Sequence, residues 1–282
     1  MAHVDLDRIA RVAASLHVRV RDMLRAGPAH SASGGEPTVN AKGDIQAWFD
    51  IEADRIAIDT LRQEFGCGVL WSEEQSEPID LGGPGPTFVI DPVDGSTNAK
   101  RGIPCSGFAL GAIPHGEPVC PEQVVFGLVG PLEPGHALAA AAGQGCYVVD
   151  ESGKPIGPPC RVRPDGPLDA AMLGADWSGR LPPGAERIAA HVAHMRSFGA
   201  STRSIALVAA GSIDAHIDLR GRLTPENYLA PSRLVLEAGG LVRGHDGHPI
   251  PPVESLLDRR PFVACAGEQL LEGLIELLNM PA

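Results

Sequence analysis

Ile90-Asp91-Pro92-Val93-Asp94-Gly95-Ser96-Thr97-Asn98 is the stretch on which the reading of this chain turns. The apolar run at 87–90 reads as a buried strand that delivers Asp91 at its end. Pro92 has no amide to donate and stops further ladder pairing. Asp94 follows three residues after Asp91, so a turn brings both carboxylates to one point. Gly95 lets the backbone approach a ligand closely, and Ser96 and Thr97 open a helix whose free N–H groups face an anion.

Upstream, Trp71-Ser72-Glu73-Glu74-Gln75 closes a second short apolar run at 68–71. Four carboxylates at neighbouring strand ends repel one another if left bare. Hard divalent cations with oxygen ligands resolve that repulsion, and magnesium keeps waters that serve as nucleophile. Taken singly the pieces say little, because an Asp-Gly pair is an ordinary turn and a Glu-Glu pair an ordinary solvated helix face. Their order along the chain, each after an apolar strand, is what carries the reading.

Further out, Leu6, Ile9, Ala13, Leu16, Val20 and Met23 recur at helical spacing, and Gly27 and Pro28 end that helix. Residues 27–41, rich in Gly, Pro, Ser and Ala, read as a loop, and 48–65 as a second helix. Segments 107–113, 123–129, 136–141 and 145–149 alternate with Gly and Pro turns and predict a meander of strands. The proline-rich stretch 155–167 is the expected boundary between an N-terminal α+β subdomain, 1–155, carrying the metal site, and a C-terminal α/β subdomain, 165–282, completing the pocket. The second half predicts strands at 170–174, 213–219 and 262–265 and helices at 185–194, 202–210, 227–238 and 269–278. Layered helices and mixed sheets follow.

The bulk numbers bound the function. With 282 residues, 44 % hydrophobic and 21 % charged, the chain is long enough for a sizeable core, and aromatics at 4 % leave the packing to Ala, Val, Leu and Ile. A net charge of −12 without a basic run argues against a nucleic-acid partner, so a phosphate ligand must find positive charge locally, from metal ions. Cysteines at 67, 105, 120, 146, 160 and 265 show no CxxC spacing, which argues against a zinc cage or a disulfide framework. The N-terminus carries no secretory pattern and no run of about 18 apolar residues occurs, so a cytoplasmic protein with reduced thiols and no membrane partner is expected.

WSEE at 71–74, IDPVDGSTN at 90–98 and EAGG at 237–240 together resemble the signature of the inositol monophosphatase family, within the lithium-sensitive, magnesium-dependent sugar phosphatases. Gly43-Asp44, the segment from Asp50, GQGC at 143–146, VAAG at 208–211 and Asp214 extend the match over nearly the whole chain. The resemblance implies an α/β fold, a layered α-β-α-β-α sandwich of the inositol monophosphatase and fructose bisphosphatase type, commonly a homodimer. By the same likeness Glu73, Asp91 and the Val93 carbonyl hold a first magnesium ion, and Asp91, Asp94 and position 227 a second. Lys42 and Asp44 follow a loop that closes over a third in relatives, so two or three ions are implied. Ser96, where the family more often has Thr, works with Asp50 to orient the attacking water, and Gly95 and Ser96 offer amides to the phosphate beside Asp94 and Thr97.

The pattern breaks at 226 and 227, where the family has Trp-Asp and this chain has Glu226 and Asn227. A neutral amide oxygen is a poorer ligand for a hard cation than a carboxylate. Three explanations stand open: Glu226 or Asp218 replaces the missing charge, the second metal is weakened and the substrate preference altered, or the chain is a catalytically reduced binding relative. A milder departure puts Ala47 and Phe49 where hydroxyl residues are usual. Arg203 and Arg220 fall in the region that lines the substrate pocket in relatives and are candidates for a second phosphate or sugar group. His191 and His194, three apart on an expected helix, lack a third ligand and read as a solvated face.

The expected function is magnesium-dependent hydrolysis of a small phosphate monoester, inositol monophosphate or a related sugar or cyclitol phosphate, by water activated at the metals. Within enzymes the alternatives are fructose 1,6-bisphosphate, histidinol phosphate, a 3′-phosphonucleotide or a specialised-pathway intermediate. The rival class is the non-catalytic binding protein that Asn227 brings to mind.

Overall fold

The computed structural model describes residues 5–27, 46–179, 181–182 and 184–280. Of the loop expected at 27–41, residues 28–41 lie outside the described residues, as do Lys42, Gly43 and Asp44. Helix α1 (Leu6–Ala26) begins where the Asp5 carboxylate accepts the Arg8 amide at 2.9 Å and ends at Gly27, whose φ of 72° a side chain would resist. It lies beside α2 (Trp48–Glu64), and together they bury Ile9, Leu16, Val20, Ala53 and Leu61 against the first sheet.

That sheet holds β1 (Val69–Ser72), β2 (Ile79–Asp80), β3 (Thr87–Asp94), β4 (Gly107–Ile113), β5 (Phe126–Pro131), β6 (Ala137–Ala141) and β7 (Gly145–Val149), in the spatial order β2-β1-β3-β4-β5-β6-β7. Strand β1 runs parallel to β3 and the other neighbours pair antiparallel. Helix α3 (Ser96–Arg101) leaves the end of β3. The second sheet contains β8 (Met172–Ala175), β9 (His194–Arg196), β10 (Ala215–Leu223), β11 (Leu241–Arg243) and β12 (Arg260–Cys265), ordered β11-β12-β10-β8-β9. Between and after these strands come α4 (Ala185–His191), α5 (Ser201–Ala209), α6 (Pro225–Glu237) and α7 (Glu268–Asn279).

The layers follow from strand alternation. Phe88 and Ile90 of β3 point into the core shared with α1 and α2, whereas Val89 points into the core shared with α5 and α6. That second core also takes Phe262 and Ala264 of β12, so α5 and α6 lie between the sheets. Leu173, Ala215, Ile217 and Val263 on the far face of the second sheet pack with Ile188 of α4 and Leu270, Leu271 and Leu274 of α7. The result is the expected α-β-α-β-α sandwich. Helix α6 lies directly on the backbone of β5: a Cβ at Gly127 would stand 2.3 Å from the Ala230 carbonyl oxygen. Inside α6, Pro231 has no N–H to return to the carbonyl of Asn227, four residues back.

Several boundaries differ from the sequence reading. The helix expected over 185–194 stops at His191, because Val192 turns extended and 194–196 pair with β8 instead. His191 therefore ends a helix with its Nδ1 2.7 Å from the Arg187 carbonyl, while His194 sits on a strand, and the two do not share a helix face. Residues 168–170 and 121–123 form single 3₁₀ turns, which delays β8 and β5, and β10 runs on to Leu223. The short strands β2 and β11 carry no alternation long enough to read from sequence.

Candidate active site

Asp91 and Asp94 are three residues apart, which in a regular strand puts side chains on opposite faces. Here Asp91 pairs with Ala109 and Asp94 with Gly107, three steps on β3 against two on β4. This bulge at Pro92-Val93 restores the parity, and both carboxylates face the layer of α5 and α6. Both are buried, at 1 % and 6 % exposure. Asp94 is anchored by the start of α5, accepting the Ser201 amide at 3.2 Å, the Thr202 amide at 2.8 Å and the Thr202 hydroxyl at 2.5 Å. Asp91 accepts the Val93 amide at 3.1 Å and the Asn227 side-chain amide at 3.1 Å.

Glu73 follows β1, and its amide donates to the Ile90 carbonyl at 3.3 Å, which ties the glutamate turn to the strand carrying Asp91. The Glu73 and Asp91 side chains are in hydrogen-bond contact. Burial first, then the carboxylates of Glu73 and Asp94, push Asp91 well above the ordinary carboxylate range. Burial also raises Asp94 to about 7, against the pull of its Thr202 hydrogen bond. Burial raises Glu74 to about 7 as well, with Glu73, Asp50 and Asp54 adding to it. Anions so crowded demand protons or a cation between them. The donors are all oxygens, without thiolate or imidazole, and fit a hard divalent cation.

Asp50 opens α2 and binds its own N-cap, accepting the Ala47 amide at 2.6 Å. Its other oxygen accepts the Ser96 hydroxyl at 3.0 Å, and that hydroxyl lies 3.0 Å from the Val93 carbonyl as well. Gly95 carries the chain from β3 into α3 with φ of 79°, and a Cβ there would stand 3.0 Å from the Gly199 carbonyl and 3.1 Å from Ala200. Asn98 fixes this junction, donating to the carbonyls of Cys105 at 2.6 Å and Phe198 at 2.8 Å. Asp50, Glu73, Asp91, Val93, Asp94, Gly95, Ser96, Thr97 and Asn227 line one cleft of 580 Å³, a volume suited to a small metabolite.

Two candidates stand apart from it. Arg203 lies with its stem on Gly107, where a Cβ would meet its Cγ at 2.6 Å. It faces β4 rather than the cleft. Arg220 is gripped by Asp218 at 2.6 Å, with Asp176 at 3.6 Å and the Ser178 hydroxyl on the other nitrogen. Asp218 is fully buried in that pairing, so it is not a carboxylate waiting to swing to the metals. Glu226, 1 % exposed, accepts the Thr224 hydroxyl, which also lies 3.1 Å from the Asn227 amide oxygen, and its charge acts on Asp91.

The same cleft takes in residues that the sequence reading did not single out. Gln46 donates to Glu74 at 2.5 Å, Lys100 reaches to 3.9 Å from Asp50, and Ser201 links the cleft to Asp176 at 2.5 Å. Lys100 had a signal, since it stands four residues after Ser96 on one helix face. For Gln46, Ser201 and Asp176 no local pattern pointed to the site.

Comparison with known proteins agrees with this geometry. The sequence profile of the inositol monophosphatase family matches residues 5–280. The chain is 28 % identical over 247 residues to a fructose-1,6-bisphosphatase/inositol-1-monophosphatase of Thermococcus kodakarensis, covering 88 % of each. It is 30 % identical over 243 residues to an inositol-1-monophosphatase of Mycobacterium leprae, covering 82 % of this chain and 79 % of that one. Among solved structures, the extragenic suppressor protein suhB of Bartonella henselae superposes with a TM-score of 0.78 at 21 % identity, over 96 % of this chain and 98 % of that one. An IMPase of Thermotoga maritima gives 0.74 at 23 % identity, over 94 % of each. At these identities the structural likeness is one of fold.

Proposed function

This chain belongs to the inositol monophosphatase family and is a phosphoric monoester hydrolase, and we propose that it works at the carboxylate cleft on a small cyclitol or sugar monophosphate. The observation that carries the proposal is the convergence of Glu73, Asp91 and Asp94 with the Ser96–Asp50 pair on one cleft.

The family is magnesium-dependent. In our reading Glu73, Asp91 and the Val93 carbonyl would hold one ion and Asp91, Asp94 and Asn227 another, with a third ion left open. Bound magnesium supplies positive charge for the phosphate oxygens and the departing alkoxide and makes water more acidic. The protein's own residues then orient and deprotonate. Ser96 gives its proton to Asp50, which leaves the hydroxyl's lone pairs to accept a proton from the attacking water. The new bond runs from the water oxygen to phosphorus, the ester P–O bond breaks in line, the leaving alkoxide takes a proton from solvent water, and Asp50 returns the proton it received to solvent. Asp50 keeps its orientation through the Ala47 amide. In this reading the amides at Gly95, Ser96 and Thr97, which line the cleft, would bind the phosphate.

Arg220 informs the substrate. Two carboxylates already compensate its charge, so a second phosphate would have to compete with Asp218 and Asp176 for it. That supports a monophosphate over fructose 1,6-bisphosphate. No helix among the described residues is long and apolar enough to cross a membrane. A homodimer in the cytoplasm, built of an N-terminal subdomain to about residue 155 and a C-terminal one from about 165, completes the proposal. The test is phosphate release from inositol monophosphate, fructose 1,6-bisphosphate, histidinol phosphate and a 3′-phosphonucleotide, with magnesium and after chelation. Magnesium-dependent release, fastest on the cyclitol or sugar monophosphate, is expected. Full activity after exhaustive chelation would refute the metal assignment.

A further inference from the structure

We propose that Asp54 is the positioning residue for the Glu73–Glu74 turn and thereby sets the affinity of the cleft for divalent cations. Asp54 stands four residues after Asp50 on α2, so the two carboxylates share a helix face one turn apart. Asp50 reaches the cleft; Asp54 does not line it and is 4 % exposed. Its two oxygens are divided between two partners: Oδ1 accepts the Ser72 hydroxyl at 2.5 Å, and Oδ2 accepts the Gln75 side-chain amide at 2.5 Å. Those partners are the residues immediately before Glu73 and after Glu74.

The turn between them is closed by the Gln75 amide on the Ser72 carbonyl at 3.1 Å, and on its other side by Glu73 donating to Ile90. Asp54 thus grips both flanks of a two-residue turn whose side chains enter the cleft. A carboxylate buried this deeply costs several kcal/mol to desolvate, roughly, and an apolar residue would fill the space more cheaply. Holding two glutamates that repel each other and Asp91 is a task that an apolar residue cannot perform. The grip of Asp54 on both flanks therefore holds the two glutamates where a cation can meet them.

The inference rests on the reading that the cleft binds magnesium, and the experiment separates the two. Magnesium affinity is measured by calorimetry, without substrate, on the parent and on Asp54→Asn, Asp54→Ala, Asp54→Glu, Ser72→Ala and Gln75→Ala, below the melting temperature of each. Residues that orient metal ligands from behind typically contribute ten- to a hundred-fold, roughly, in metal affinity. Asp54→Asn and Asp54→Ala should therefore weaken magnesium binding by about tenfold or more. Gln75→Ala and Ser72→Ala should give part of that loss, and Asp54→Glu should regain part of it. A purely structural role would lower the melting temperature and leave the affinity of the folded protein unmoved. If the Asp54 variants do not fold, the Ser72 and Gln75 variants, which alter the grip from the partner side, carry the test. Parent and variants binding magnesium equally would overturn this inference alone, whereas a parent that binds no magnesium would overturn the functional reading with it.

Discussion

Replacing Asn227 by Asp tests the departure from the family pattern that falls on an expected metal ligand. The Asn227 amide stands 3.1 Å from an Asp91 oxygen, so Asn227→Asp exchanges an N–H donor for a second anion at that distance. Two unit charges about 4 Å apart repel by about 4 kcal/mol at an effective dielectric of about 20. The lost hydrogen bond to a charged acceptor adds about 1.5–3 kcal/mol. Side-chain rotation and proton uptake relieve much of this, and we take about 2 kcal/mol as the part that remains. At roughly 2 °C per kcal/mol for a chain of this size, the cation-free variant should melt about 4 °C below the parent. A dication between the carboxylates reverses the sign. The same 2 kcal/mol, roughly, then appears as about thirtyfold tighter magnesium binding. Calorimetric titration and melting curves with and without magnesium read both numbers. Weaker binding in the variant would mean that Glu226 already supplies the charge and is crowded by a newcomer. Unchanged affinity together with an unchanged cation-free melting temperature would refute the reasoning, because position 227 would not face the metal ligands.

Asp91 is shared between both proposed ion sites, so Asp91→Asn should lower the turnover rate by about a hundredfold or more, and a near-normal rate in the folded variant would remove Asp91 from the mechanism. Asp94 and Glu74, raised to about 7 in the folded chain from ordinary carboxylate values, bind more protons folded than unfolded between about pH 4 and 7. In a chelator the melting temperature should therefore fall as pH rises through that window, and saturating magnesium should abolish the fall; a chelated protein that gains stability from pH 5 to 8, roughly, would contradict the crowding. The Cys146 thiol donates to Cys160 and draws it down to about 6, while Cys146 itself is pushed up. Iodoacetamide at about pH 7 should label Cys160 before the other five thiols, which peptide mass mapping reads directly.

How far the sequence could be read depended on whether the signal was local. The stretch around Asp91 is legible because a strand, a proline, a glycine and a helix start follow one another within nine residues. Pro92 even hints at the bulge, since a central strand tolerates proline only where pairing lapses. The five layers came from the family likeness, because alternation alone does not say which sheet a helix covers. Helix phase was harder. Thr202 turns to Asp94, so its neighbour Arg203 is rotated away onto Gly107, and a candidate chosen by position along the chain missed this. Arg220 fell to Asp218 two residues earlier, a pairing set by the course of β10. The C-terminal end of α4 was misjudged because helical spacing persists past His191 while pairing with β8 draws 194–196 into the sheet. The site centre was legible and its surroundings were tertiary.

The seat of α6 on β5 limits how this site can be re-engineered. At Gly127 the separation of helix and sheet is set by main-chain thickness, with no side chain between to be exchanged for a larger or smaller one. Elsewhere in a core, neighbours absorb an added methyl by repacking. Here the nearest obstacle is a backbone carbonyl of Ala230, one turn along the helix from Asn227. A methyl at 127 would have to lift the helix, and the amide that faces Asp91 would ride up with it. Position 127 is thus a gauge for the cation site that no inspection of the cleft walls would find. A library aimed at altered metal preference should vary it alongside the ligands themselves.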